Sequence, residues 1–420
     1  MTGLLAYGRA TRMSGFKRLA LPLSIITLIA CGPTRREGVD GDGGTEPQDA
    51  ACNTSISGTV FAPNGTLPLY NVTVYIPGTP PPPFEQGVQC GNCGDGLPGG
   101  ALARATSGPD GTFRLDNVPP GSTQKVIITT GKWRRIVDVP VSQCGDNALP
   151  AGTFRLPRNK NEGELPRIAM VTGGCDPLAC ILTKLGIDPN EFGDTSTGDK
   201  RVVFYNGDGG IAPGAPQSAT ALWGSLDELK KFDVVINSCE CNVHNELKTS
   251  PDLMRQYADM GGRIFGSHYQ YTWTKELIPQ WLPTATWVTT GSSSTPDLVD
   301  TSHPNGMAFS QWLVAVGASA VPGQITLGEK IRNVTAVAPT TTRWLYSSGS
   351  PATTHYLSFN TPVGTPPEQQ CGKVVYAGMH VASGSVGATF PSGCSAGFTA
   401  DEKALVFLLF DLGACVDVIL

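Results

Sequence analysis

Excess positive charge is missing from this 420-residue sequence: 30 Lys and Arg stand against 35 Asp and Glu, a net charge of −5. No basic tail or stripe offsets this, so nucleic-acid binding has no electrostatic footing. Charge of either sign is scarce. Charged residues make up 15% of the chain against about 25% in ordinary soluble domains, which excludes coiled coils, charged helical bundles and disordered polyelectrolytes. Long apolar runs are lacking as well. Residues 19–30 are too short to span a bilayer, and residues 404–420 carry Asp411 and Asp417, so that segment reads as a helix packed inside a domain. What abounds is Gly (51) and Pro (34), about a fifth of the chain against about 12% in average usage. Such a composition suits loop-rich β and α/β domains of an exported protein.

Residues 1–36 hold Arg9, Arg12, Lys17 and Arg18 and no acidic residue, followed by the short apolar run. This pattern predicts a signal peptide over residues 1–30. Its end, Leu28-Ile29-Ala30-Cys31, resembles the lipobox of bacterial lipoproteins. The resemblance implies that Cys31 carries a diacylglyceryl group and that the bilayer is a partner. Gly32, where Asp would signal retention, implies the outer membrane. Residues 31–51 lack apolar periodicity and read as a flexible tether.

Export makes disulfides the default state of the other cysteines: Cys52, Cys90, Cys93, Cys144, Cys175, Cys180, Cys239, Cys241, Cys371, Cys394 and Cys415. Their number is odd, so one thiol is expected free. Cys52 and Cys144 flank the first and last strands of a small domain and are placed to close it. Cys90-Gly-Asn-Cys93 reads as a local or loop-stapling disulfide. Cys175 and Cys180 are matched with Cys239 and Cys241, and Cys371, Cys394 and Cys415 leave one more bridge.

From Ile56 the chain alternates β-branched and aromatic residues around Asn64-Gly65, which predicts a hairpin. Asp110-Gly111 marks a further turn, and Phe113 and Leu115 fall on one face at period two. Residues 107–121, Ser-Gly-Pro-Asp-Gly-Thr-Phe-Arg-Leu-Asp-Asn-Val-Pro-Pro-Gly, resemble the signature of carboxypeptidase regulatory-like domains. That resemblance covers about residues 53–156. It implies a small transthyretin-like β-sandwich of about seven strands, without chemistry of its own, and the first domain is set at residues 52–157.

After a polar linker at residues 158–164, strands and helices alternate over residues 165–420. Strands are expected at residues 167–172, 201–205, 233–237, 263–266 and 373–380. Helices are expected after Asp176-Pro177, after the Ser225/Glu228 capping box, after Ser250-Pro251 and after the Thr399/Glu402 capping box. Between about residues 285 and 370 no helix is expected. Alternation of this kind predicts an α/β, flavodoxin-like parallel sheet. The Gly-Gly, strand and Gly266-Ser267-His268-Tyr269 order, with the late Gly378-Met379-His380 and the terminal helix, resembles class I glutamine amidotransferase-like domains, in particular the trehalose-utilisation-like branch with Gly-x-His at the turn. In true amidotransferases a Cys stands where this chain has Ser267-His268, which implies a non-catalytic head.

At the carboxyl ends of parallel strands side chains converge on one crevice. Asp208, Cys239, Glu240, His268 and His380 are expected there, and two His with two carboxylates are suited to acid–base work or a divalent ion. The Cys239-Glu240-Cys241-Asn-Val-His244 run reads as disulfide material, and Trp273, Trp281, Trp287, Tyr269 and Tyr271 as core packing or a sugar platform. No cofactor or metal motif is complete. The reading is an envelope lipoprotein that binds a carbohydrate or protein ligand. The alternative is a hydrolase or metal-dependent enzyme acting on an envelope or carbohydrate substrate through Glu240, His268 and His380.

Overall fold

A computed structural model describes residues 52–91, 96–331, 333–380, 389–395 and 397–414. The calls on the signal peptide, the tether, Cys31, Cys93 and Cys415 lie outside the described residues. The architecture is mixed and sheet-rich, with several sheets and some helices.

Eight strands between Ser55 and Arg155 form two four-stranded sheets. In one, Ser55–Phe61 lies between Thr112–Leu115 and Asp146–Ala148, with Phe154–Arg155 also on it. In the other the order is Ala101–Thr106, Thr73–Pro77, Thr123–Thr130, Trp133–Pro140. Phe113 and Leu115 are both buried, as their spacing predicts. The turn at Gly111 needs glycine: its φ is +79°, and a Cβ there would meet Val60 O at 2.9 Å. The expected hairpin around Asn64-Gly65 is corrected. Only a bridge from Phe61 to Pro68 joins the two segments, and the chain then crosses to the other sheet, where Thr73–Pro77 pairs with Ala101–Thr106 and Thr123–Thr130 instead.

The second assembly is a ten-stranded sheet. Phe192–Asp194, Val202–Asp208, Ile168–Gly173, Val234–Asn237, Arg263–Ser267 and Gly372–Ala377 run parallel in that order. Ile168–Gly173 is buried at every position, as a strand covered on both faces must be. The expectation of a wholly parallel sheet is corrected beyond Gly372–Ala377, where Thr353–Thr361, Thr341–Ser347, Asp297–Val299 and Gln324–Ile325 continue antiparallel.

The capping box of the last helix, Ala400–Gly413, is complete. Ser225 likewise accepts from Glu228 N. Asp176 does not cap the first helix. That helix runs Ala179–Lys184 from Leu178 without a side-chain cap, while Leu178, Ile181, Leu182 and Leu185 are buried on the expected face. A helix at Pro304–Ala315 stands where none is expected. Gly306 and Ser310 dilute its signal, yet Phe309, Trp312 and Leu313 lock it into the core.

One continuous apolar core runs from the two small sheets into the large one. Phe407 is its junction. Tyr70 stacks on it at 5.7 Å, Phe309 lies at 4.5 Å, and Trp312 and Trp344 close the cluster at 5.5 and 5.9 Å. Trp312 Nε1 donates to Pro68 O at 2.9 Å, and Lys132 pairs with Asp233 at 2.6 Å. The segment read as a linker is tied down too, with Glu162 on Arg155 and Arg158.

Among the described residues four disulfides hold this assembly, a mark of an extracellular or envelope protein. Cys52–Cys144 forms as expected. Cys90 staples its loop to Cys371 across 281 residues, the second of the two forms expected of it, and Cys180 bonds to Cys394. Cys175–Cys241 forms, but Cys239 stays out of any bridge and is a buried free thiol. No helix among the described residues is long and apolar enough to cross a membrane.

The shared core makes unfolding a single event. Urea unfolding of the whole chain should show one transition, and Phe407→Ala should lower stability by about 3–5 kcal/mol. Two separate transitions in the wild type would contradict it.

Candidate functional site

The first strand of the ten-stranded sheet, Ile168–Gly173, has Val202–Asp208 on one side and Val234–Asn237 on the other. The chain therefore reverses its winding direction here, and the crevice beyond the strand ends is where an α/β sheet collects its ligands. Cys239 leaves this point immediately after Val234–Asn237. Gly173 admits it, since a Cβ there would fall 2.1 Å from Cys239 O, and Gly266 makes room for the turn after the next strand, where a Cβ would meet Gln270 Cβ at 2.9 Å. Ser267 Oγ accepts from Cys239 N at 3.0 Å, joining adjacent strand ends. The Cys175–Cys241 bond then pins the two flanking loops.

His268 follows Arg263–Ser267 with φ +40°, a left-handed backbone uncommon for any side chain with a Cβ and a mark of a turn held by its surroundings. His380 ends the short strand Met379–His380. The three side chains converge. Cys239 Sγ lies 3.3 Å from His268 Nδ1 and 3.2 Å from His380 Nε2, and the two ring nitrogens are 2.8 Å apart. All three donor atoms fall within 4.8 Å of one another. The other nitrogen of His380, Nδ1, is 2.8 Å from Glu329 Oε2. Glu329 carries no periodic or motif signal, since it comes from a two-residue strand paired antiparallel with Met379–His380.

Electrostatics hold Cys239 and His268 uncharged. Burial pushes the Cys239 thiol up to about 11, with the Asp176 and Glu240 carboxylates adding to it, against the backbone N–H groups of Tyr269 and Cys241, which favour the thiolate. Burial, then repulsion from His380, lowers His268 to about 4.

The other expected residues go elsewhere. Glu240 is fully buried and turns to Lys248 Nζ at 2.8 Å and Gln270 Nε2 at 3.0 Å, while Lys248 sits over the Trp223 ring. Asp208 pairs with His244 at 3.2 Å, and His244 with Glu246 at 2.9 Å. Of Asp208, Glu240, His268 and His380, the structure therefore brings together only the two histidines. The sulfur thought missing from the turn is supplied from the neighbouring strand end, and Cys239, read as disulfide material, belongs to the site. The three donors are placed so that they could hold a metal ion. Trp273 and Trp281 are core residues. Tyr269 packs on His268 at 3.9 Å, and Tyr271 and Trp287 continue the row at 6.1 and 5.8 Å.

No protein-family model matches the chain, and no curated protein does. Among solved structures, a ThuA-like protein from Bacteroides uniformis is similar at 14% identity and TM-score 0.30, over 58% of this chain and 90% of that one. Two chains of type II cohesin–X-dockerin complexes from Acetivibrio cellulolyticus are similar at TM-scores 0.15 and 0.18. The first is 19% identical over 24% of this chain, which spans 56% of its length, and the second is 14% identical over 36% and 88%.

The buried thiol should resist alkylation. In metal-free protein at pH 8, iodoacetamide should label Cys239 at least about 100-fold more slowly than in the urea-unfolded chain, where a thiol ionises near pH 8.5. The rate should climb as pH rises toward 11. Peptide mapping that finds Cys239 labelled rapidly in the folded protein at pH 8 would contradict this environment.

Proposed function

We propose that this protein is an exported, lipid-anchored envelope protein that works as a metal-dependent enzyme, holding a thiophilic divalent ion on Cys239, His268 and His380. In this reading Cys31 carries the anchor at the outer membrane, residues 52–157 are a transthyretin-like spacer, and residues 165–420 are an amidotransferase-like, flavodoxin-like domain whose usual nucleophile has been replaced. The observation that carries the reading is the donor triangle of one sulfur and two imidazole nitrogens. A tetrahedral ion with bonds of about 2.0–2.1 Å to nitrogen and about 2.3 Å to sulfur sets its donors roughly 3.3 to 3.6 Å apart. The separations of 2.8, 3.2 and 3.3 Å lie within about half an ångström of that. A thiolate with imidazoles suits zinc or copper and not magnesium or calcium. Glu329 on His380 Nδ1 is the carboxylate partner that ligating histidines ordinarily have.

Three protein donors leave a fourth position open, the arrangement of catalytic as opposed to structural zinc sites. An ion bound there supplies Lewis-acid polarisation and an activated water for hydrolysis. Of the two functions expected from the sequence, the geometry favours the enzyme over the passive binding head, with Cys239 taking the place of Glu240. The substrate class under this proposal is an envelope component or a carbohydrate.

A second reading has one observation in its favour. Glu329, His380 and Cys239 stand in line at 2.8 and 3.2 Å, the order of an orienting carboxylate, a base and a thiol nucleophile. A thiol pushed up to about 11 is the wrong ionisation state for that role.

Metal analysis of the purified full chain after zinc loading and dialysis should find one tightly held ion per chain. Cys239→Ser and His380→Ala should each weaken it by about 100-fold or more and abolish any hydrolase activity found on a substrate panel. A chain that retains no zinc, or variants that retain it equally well, would refute the proposal.

A further inference from the structure

Glu329 is the weak point of the site as drawn. Its side chain is 73% exposed, and a surface contact of this kind contributes too little by itself to hold His380 in one orientation. The strand that carries it has only two residues, Glu329–Lys330. Along a strand successive side chains point to opposite faces, so Lys330 turns inward as Glu329 turns out, and Lys330 enters a fully buried polar cluster.

Lys330 Nζ lies 3.0 and 3.2 Å from the two oxygens of Asp297, which is 0% exposed. Asp297 also accepts from Ser347 Oγ at 2.7 Å and from Leu327 N at 3.0 Å. Ser347 Oγ stands 2.7 Å from His355 Nε2, and His355 is itself fully buried. His355 then touches both halves of the ribbon that carries the site. Its carbonyl accepts from Gly378 N at 2.7 Å, its Nδ1 faces Ile331 O at 3.4 Å, and Ile331 N donates to Gly378 O at 2.7 Å. Gly328 N donates to Asp401 Oδ2 at 3.1 Å, tying the start of the strand to the last helix.

A buried ion pair of this kind is poor evidence of stabilisation. Removing two charges from water offsets much of their mutual attraction, and an apolar pair of equal volume is commonly as stable. What the cluster does provide is register. It fixes Glu329 opposite His380 and Lys330 opposite Met379.

We propose that Asp297, Lys330, Ser347 and His355 form a positioning device for the metal centre, holding the Glu329 carboxylate on His380 Nδ1 so that Nε2 faces Cys239 and His268. The inference rests on the metal reading above. It names positioning residues, none of which touches the ion, and their effect passes through Glu329.

The test is a cycle of variants in the full chain, read by cobalt(II) affinity and by the near-ultraviolet thiolate-to-cobalt charge-transfer band. Glu329→Gln should weaken binding about 10–100-fold, the usual cost of losing a ligand's outer partner. The charge-neutralised pair Asp297→Asn with Lys330→Met should weaken it to a similar extent. All three changes together should be no worse than the larger of the two effects, because both act on the same hydrogen bond. Should the neutralised pair not fold, Ser347→Ala, which removes the hydroxyl linking Asp297 to His355, takes its place in the cycle. Wild-type protein that gives no charge-transfer band would overturn the metal reading and this inference with it. A normal wild-type band with unchanged affinity in the cluster variants, or losses that simply multiply, would overturn this inference alone.

Discussion

Everything chemical in this protein depends on one geometric constraint: parallel strands side by side must end side by side. Val234–Asn237, Arg263–Ser267 and Gly372–Ala377 are consecutive in the sheet, so the residues that leave their carboxyl ends are neighbours although they lie far apart in sequence. Cys239, His268 and His380 are those residues. The constraint alone does not bring three donor atoms within bonding range of one ion. That requires glycine at 173, where a Cβ would collide with Cys239 O, glycine at 266, where one would crowd Gln270 in the following turn, and a left-handed turn at His268. The strained backbone is carried by its surroundings, among them the Ser267 hydroxyl on Cys239 N and the Cys175–Cys241 bond.

The charge state follows from the same packing. Burial keeps Cys239 as a thiol and His268 neutral, because it penalises their charged forms. Metal binding at such a centre displaces the thiol proton and is therefore favoured by rising pH. The small sheets contribute at a distance. They share an apolar core with the large sheet through Phe407 and Trp312, and Cys90–Cys371 fastens an insertion from one to the strand beside His268 in the other.

Much of this order was legible in the sequence, for identifiable reasons. Ile168–Val171, Val202–Tyr205 and Val234–Ile236 are unbroken apolar runs, and the Thr399–Glu402 box announces the last helix without help from tertiary contacts. Phe113 and Leu115 obey period two. Apart from Cys52–Cys144 and Cys175–Cys241, non-local partnerships were not legible. Nothing near Asn64-Gly65 says that its flanking segments join different sheets, and nothing near Cys90 points to Cys371. The helix Pro304–Ala315 was hidden because its buried aromatic residues, and not its helix propensity, hold it. At the site, His268 and His380 could be found because each ends a strand. Cys239 was seen but assigned to a disulfide, since spacing cannot distinguish a thiol that meets Cys175 from its neighbour that meets two histidines. Glu329, and the Asp297 cluster behind it, come from short antiparallel pieces with no pattern of their own.

The most direct measurement of the central claim is X-ray absorption at the zinc edge of the loaded full chain. The account predicts one sulfur at about 2.3 Å and two imidazole nitrogens at about 2.0–2.1 Å, with a light atom completing the shell. A shell of oxygen atoms alone, or a spectrum unchanged when Cys239 is replaced by Ser, would contradict it.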